Sequence, residues 1–191
     1  MSPTAGALGR VAGLVVVVAV LQLSGVSSLR VFGAAFDLVP LLVGAVALFA
    51  GAVPAALTGF SIGLLIDLLL GQSVGASSLV LTLVGYTAGR YRDVRDPAHG
   101  LVPIPYGAAV TAGYWVGLAA VSFLLDRPSI SPFVLREMLV TVLLNAAIAL
   151  PVFALVRRIL GPILSVDPIE RRRRRRGPRE TGPLGLRGLE V

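Results

Sequence analysis

The sequence predicts an all-α integral membrane protein of about six transmembrane helices, both termini cytoplasmic, ending in a disordered basic tail. Three observations carry this expectation. Of 191 residues, 55% are hydrophobic and 14% charged, against roughly 25% charged in a soluble domain. Mean hydropathy is +0.87, and at about 20 apolar residues per span, six spans occupy roughly 120 residues and leave no room for a sizeable soluble domain. All 17 basic residues are arginine; ten lie in residues 157–191 beside four acids, a local charge of +6 out of +7.

Composition also excludes several classes of chemistry. With no cysteine there is no disulfide framework, thiolate metal site or cysteine nucleophile, and His99, the single histidine, rules out a multi-histidine metal cluster. The basic charge belongs to the tail of a nearly neutral apolar body. No aromatic side chains interleave with Arg171, Arg172, Arg173, Arg174, Arg175 and Arg176 for stacking on bases, so no nucleic-acid partner is expected. Arginines beside a span instead fix orientation and attract anionic lipid, and Arg157 and Arg158 take the same role.

The first span is expected over residues 8–26, behind Arg10. Its apolar core and following small residues also fit a signal peptide, but small residues equally suit helix packing and the rest of the chain needs no leader. The second and third spans, 37–51 and 54–70, are separated only by Gly51 to Pro54, a tight helical hairpin in which glycine ends one helix and proline begins the next. At about 16 residues, each is some 24 Å long and short for a hydrocarbon core of about 30 Å. A fourth span covers 76–89, followed by a hydrophilic loop holding Arg90, Arg92, Asp93, Arg95, Asp96 and His99. Pro103 and Pro105 open the fifth, 104–125, which closes at Asp126, Arg127 and Pro128. Ser131 to Glu137 reads as a surface element, the sixth span as 138–156, with Arg157 and Arg158 stopping it. Two units result: a transmembrane helical domain over 1–158 and a cytoplasmic Arg-rich tail over 159–191.

Six spans place both termini on one side. With those termini cytoplasmic, 14 arginines lie inside and three, Arg30, Arg127 and Arg136, outside; without the tail beyond Arg158 the ratio is still six to three.

The densest pattern is GFSIGLLIDLLLGQSVG, where Gly59, Gly63, Asp67, Gly71 and Gly75 recur every four residues. On a helix this spacing makes a stripe of small residues that lets a neighbouring backbone approach closely, as where helices associate in lipid. The same step recurs at Gly9/Gly13, Gly85/Gly89 and Gly113/Gly117, each expected in internal packing. A carboxylate inside an apolar helix needs a partner or a cavity, so Asp67 is expected to pair with an outer arginine: Arg30, Arg127 or Arg136. Contact with a partner protein and proton or substrate chemistry are the alternatives. Asp37 opens the second span on the same face.

GFSIGLLIDLLLGQSVGASSLVLTLVGY, preceded by FDLVPLLVGAVALFAG, resembles the rod shape-determining protein MreD family. The resemblance spans most of residues 8–158 and is specific between Phe36 and Gly89. The family's Gly, Gly, Asp, Gly, Gly pattern falls on Gly59, Gly63, Asp67, Gly71 and Gly75, followed by an aromatic at Tyr86. Where many members place a proline before the acid of the second span, this chain has Phe36 before Asp37, with Pro40 downstream. The resemblance implies a fold similar to the substrate-binding subunits of energy-coupling-factor vitamin transporters. It also implies a non-enzymatic subunit of the cell-wall elongation complex in the bacterial cytoplasmic membrane, supporting rod shape and peptidoglycan synthesis. The partners implied are the bitopic protein MreC, actin-like MreB, and RodA with its class B penicillin-binding protein. Asp37, Gly59, Gly63, Asp67, Gly71, Gly75 and Tyr86 are then helix-packing or partner-contact residues.

The residues themselves offer no catalytic pair, metal set or cofactor site: the acids in the spans stand singly at helix ends, and no serine has a base nearby. The alternative, a substrate-binding subunit of a vitamin transporter, requires polar groups converging on one cavity. Gln22, Thr58, Ser61, Asp67, Thr82, Thr111, Tyr114, Ser122, Thr141 and Asn145 supply few. Most are hydroxyls able to bond their own helix, and Trp115 is expected in packing. Asn145 and Pro151 are read only as marks of a kink.

Overall fold

The computed structural model describes residues 3–24, 30–31, 33–71, 75–94, 102–125 and 132–164. Within them the chain order is α1 (Pro3–Ser24), β1 (Arg30–Val31), β2 (Ala34–Ala35), α2 (Leu38–Ala50), α3 (Ala52–Leu70), α4 (Ala76–Val94), α5 (Pro103–Leu124) and α6 (Pro132–Leu164). The small hairpin is a departure from the expected all-α layout. Its strands pair antiparallel, Arg30 opposite Ala35 and Val31 opposite Ala34, and Gly33 turns at a φ of 89°. Two-residue strands carry no alternation that a period-two search can detect.

Among the described residues three helices are long and apolar enough to cross a membrane: Ala52–Leu70, Pro103–Leu124 and Phe133–Gly161. Gly9–Ser24 and Leu38–Ala50 are shorter apolar helices, and α4 ends in the polar sequence Arg90, Tyr91, Arg92, Asp93. The break between α2 and α3 is Gly51 alone, at a φ of 93°, while Pro54 sits inside the first turn of α3. The sixth helix is longer than its apolar run. Ser131 to Glu137, expected as a surface element, contributes the first turns of α6 from Pro132 onward, and the helix continues past Arg157 and Arg158 to Leu164. Arginine is a good helix former, so a pair of them ends an apolar run without ending the helix.

α2 is the centre of the bundle. Every residue from Val39 to Leu48 is buried, and α1, α3, α4, α5 and α6 all pack against it. Its 13 residues give about 20 Å, too short for lipid contact along a full bilayer, but a helix sheathed in protein has no such requirement. At the end of α2 near Gly51, Phe153 of α6 stacks edge-on with Phe49 at 6.2 Å and with Tyr106 at 6.3 Å. Arg10 of α1 donates to the Ile159 carbonyl of α6 at 3.5 Å, placing the start of the first helix beside the end of the last.

Candidate functional site: a polar clamp and a glycine contact

Asp37 is the N-cap of α2, extended at φ −116° and ψ 97°, and its carboxylate accepts from the Val39 N–H at 3.2 Å. An extended segment exposes N–H and C=O groups along both edges, which an apolar surrounding cannot solvate. Two carboxamides take the place of water. Asn145 of α6 accepts from the Asp37 N–H at 3.2 Å and donates to the Asp37 carbonyl at 2.8 Å. On the flanking residues, Gln22 of α1 donates to the Phe36 carbonyl at 3.3 Å and accepts from the Leu38 N–H at 3.1 Å. Asn145 also donates to Thr111 Oγ1 at 3.1 Å, which itself donates to the Gly107 carbonyl, and Thr141 donates to the Ala35 carbonyl at 3.3 Å. Two helices, α1 and α6, thus grip the entry to α2, and α5 braces Asn145 through Thr111. Gln22 and Asn145 are more than the kink marks and isolated polar groups expected. Their signal was available: a carboxamide has donors and acceptors that its own helix cannot saturate, and two stand in apolar runs.

Asp67 is 1% exposed. Among the expected partners, Arg136 is exposed on α6 and does not reach it, which corrects that pairing, while Arg127 and the side chain of Arg30 lie outside the described residues. Backbone N–H groups satisfy the carboxylate instead: Oδ2 accepts from Gly75 at 2.8 Å and from Ser77 at 3.1 Å, at the start of α4. A helix N-terminus presents unpaired N–H groups and partial positive charge, so it supplies what a cation would. The Asp67 carbonyl accepts the Gly71 N–H that caps α3. One residue therefore fastens both ends of the α3–α4 turn. Tyr114 of α5 lies beside Ser77, within electrostatic reach of Asp37 and Asp67.

The glycine stripe divides into two functions. A Cβ at Gly63 would lie 2.5 Å from Ser78 Cα, and one at Gly59 would strike the Leu81 carbonyl. Reciprocally, a Cβ at Gly85 would lie 2.8 Å from the Ala55 carbonyl, and one at Gly89 would strike Ala52. Four glycines thus bring α3 and α4 to backbone contact, and Ser78 Oγ donates across it to the Phe60 carbonyl at 3.2 Å. Gly71 and Gly75 are corrections: both have open space where a Cβ would go, and both adopt positive φ, 61° and 98°. They shape the turn rather than extend the packing stripe. Gly9 and Gly13 also meet nothing within 4 Å, so that step makes no helix contact, whereas Gly117 meets Val80.

Tyr86 is 47% exposed and edges an apolar groove between α3 and α4 with Phe60, Leu64, Leu79 and Leu83. Thr58, Ser61, Thr82 and Thr111 each bond a carbonyl four residues back in their own helix. Trp115 packs against the core, and its indole N–H has no partner among the described residues. Arg157 and Arg158 are exposed on α6, while Arg171 to Arg176, His99 and Arg127 lie outside the described residues.

No three of His, Cys, Asp and Glu gather as a metal site among the described residues. An apolar helical bundle whose buried polar side chains are spent on its own backbone defines a helical membrane protein held together from within. Residues 11–159 match the family model of rod shape-determining protein MreD, and the chain belongs to that family. It is thereby a membrane protein of the cell-shape machinery. No individual curated protein and no solved structure matches the chain.

Proposed function

We propose that the chain is a non-enzymatic, multi-pass subunit of the bacterial cell-wall elongation complex that supports rod shape and peptidoglycan synthesis by scaffolding partner proteins in the cytoplasmic membrane. The observation that carries this is the family match over residues 11–159. The use of polar groups supports it: Gln22, Asp37, Asp67, Thr111, Thr141 and Asn145 hold backbone or one another, whereas a substrate site needs them turned towards a cavity.

The transmembrane unit covers residues 1–158 with six crossings and both termini cytoplasmic, and the 159–191 tail touches anionic lipid. The Arg10 to Ile159 contact supports common placement of the termini, since it joins the first helix's start to the last helix's end. The partners are MreC, MreB, and RodA with its class B penicillin-binding protein, engaged through helix faces and short loops, with Asp37, Gly59, Gly63, Asp67, Gly71, Gly75 and Tyr86 shaping the contact region. Co-purification of the full chain from membranes tests the scaffold. Recovery of MreC with RodA is expected; recovery of an ATPase module with bound vitamin, and neither shape protein, overturns it.

A further inference from the structure

A cleft of about 480 Å³ opens at the end of the bundle where α1 begins and α6 finishes. Its walls come from the end of α2, the start of α5 and one face of α6. Phe49, Leu150 and the buried Phe153 make an apolar floor. Along α6 the lining then changes character: Leu150 and Ala154 are followed by Arg157, Arg158 and Gly161, residues three and four apart that share one helical face. Both arginines are exposed, and among the described residues neither has a carboxylate or hydrogen-bond partner. A Cβ at Gly161 would meet nothing within 4 Å, so the space beside the cations is open. Pro103 on the opposite wall starts α5, whose N-terminus has no side-chain cap and adds partial positive charge.

An apolar slot running into two unpaired cations matches a molecule with an acyl chain at one end and a phosphate at the other. We propose that this cleft binds one anionic phospholipid, its phosphate between Arg157 and Arg158 and an acyl chain over Phe153 and Leu150. The site is distinct from diffuse attraction of lipid to Arg171–Arg176. It requires only that this end of α6 lies at headgroup level, and holds whether or not the scaffold does.

Native mass spectrometry of the full chain in neutral detergent, titrated with phosphatidylglycerol or phosphatidylcholine, tests this. Wild type retains one phosphatidylglycerol per chain in preference to phosphatidylcholine. Arg157→Gln with Arg158→Gln weakens retention roughly 30-fold, the combined effect of two arginines near a lipid phosphate. Ala154→Trp keeps both cations, blocks the slot and also loses the lipid, whereas Gln at Arg171–Arg176 leaves it bound. Thermal unfolding of each variant shows that the fold is intact. Retention by either cleft variant, equal retention of phosphatidylcholine, or displacement by excess inorganic phosphate overturns the proposal.

Discussion

Asn145 of α6 and Asp37, 108 residues earlier, pair as two strands would: a side-chain amide takes both the N–H and the carbonyl of one extended residue. Asn145 is 0% exposed, and its remaining donor reaches Thr111. The entry to the central helix thus depends on a side chain from the last helix, and removing it orphans two part-buried backbone groups at once.

Asn145→Leu, of similar volume but without the amide, is expected to lower stability by roughly 1–3 kcal/mol, the desolvation penalty of unsatisfied buried groups. Gln22→Leu, at a part-buried position, is expected to cost less. Denaturant titration of the purified protein in detergent, followed by helical circular dichroism, checks the order; a neutral Asn145→Leu would remove the clamp from the account.

Glycine substitutions should separate by mechanism. At Gly63, Ala is destabilising and Leu far worse, because the obstacle is Ser78 backbone and the clash grows with size. At Gly75, Ala and Leu should cost about the same, roughly 1–2 kcal/mol, because positive φ penalises any Cβ while the space is open. Gly9→Ala should not destabilise, and should gain up to about 1 kcal/mol, because the space is open and alanine is favoured over glycine inside a helix. The yield and unfolding midpoint of folded protein across the three series distinguish close packing from turn geometry.

Asp67→Asn retains an oxygen for the Gly75 and Ser77 N–H groups but loses the charge that strengthens those bonds and complements the helix terminus. A loss of about 1 kcal/mol is expected, and Asp67→Leu should lose more. Arg136→Gln should leave the unfolding midpoint unchanged, since that arginine does not reach the carboxylate. Matching losses from Asp67→Asn and Arg136→Gln, non-additive in the double variant, would restore the ion pair.

The arginine distribution predicts that a reporter active only outside the membrane stays silent when fused after Val191 and works when inserted between Asp126 and Arg136. Gln at Arg171–Arg176 should reduce association with anionic vesicles, a difference that shrinks as salt shortens the screening length below about 8–10 Å. Activity at the C-terminal fusion would invert the topology and move the lipid cleft to the outer face.

The class of protein and the weight of the glycine–aspartate segment are legible in the order of residues. Apolar run length, proline and glycine breaks and the four-residue repeat are local properties that mark apolar segments, but α1, α4 and α6 each run several residues beyond the apolar segment they contain. What each of these residues contacts follows from packing between distant segments. The repeat of Gly59, Gly63, Gly71 and Gly75 looks uniform along the chain, but the helix ends at Leu70, so the last two glycines leave the packing face and become turn residues. Asp67 needs a donor, and charge alone points to arginine; only folding carries the first N–H groups of α4 to it. Gln22 and Asn145 lie far from Asp37 in sequence, and no periodicity links them. Their common task arises because the extended residues before α2 are packed among apolar helices that offer their backbone no partners, so helices from both ends of the chain supply the hydrogen bonds.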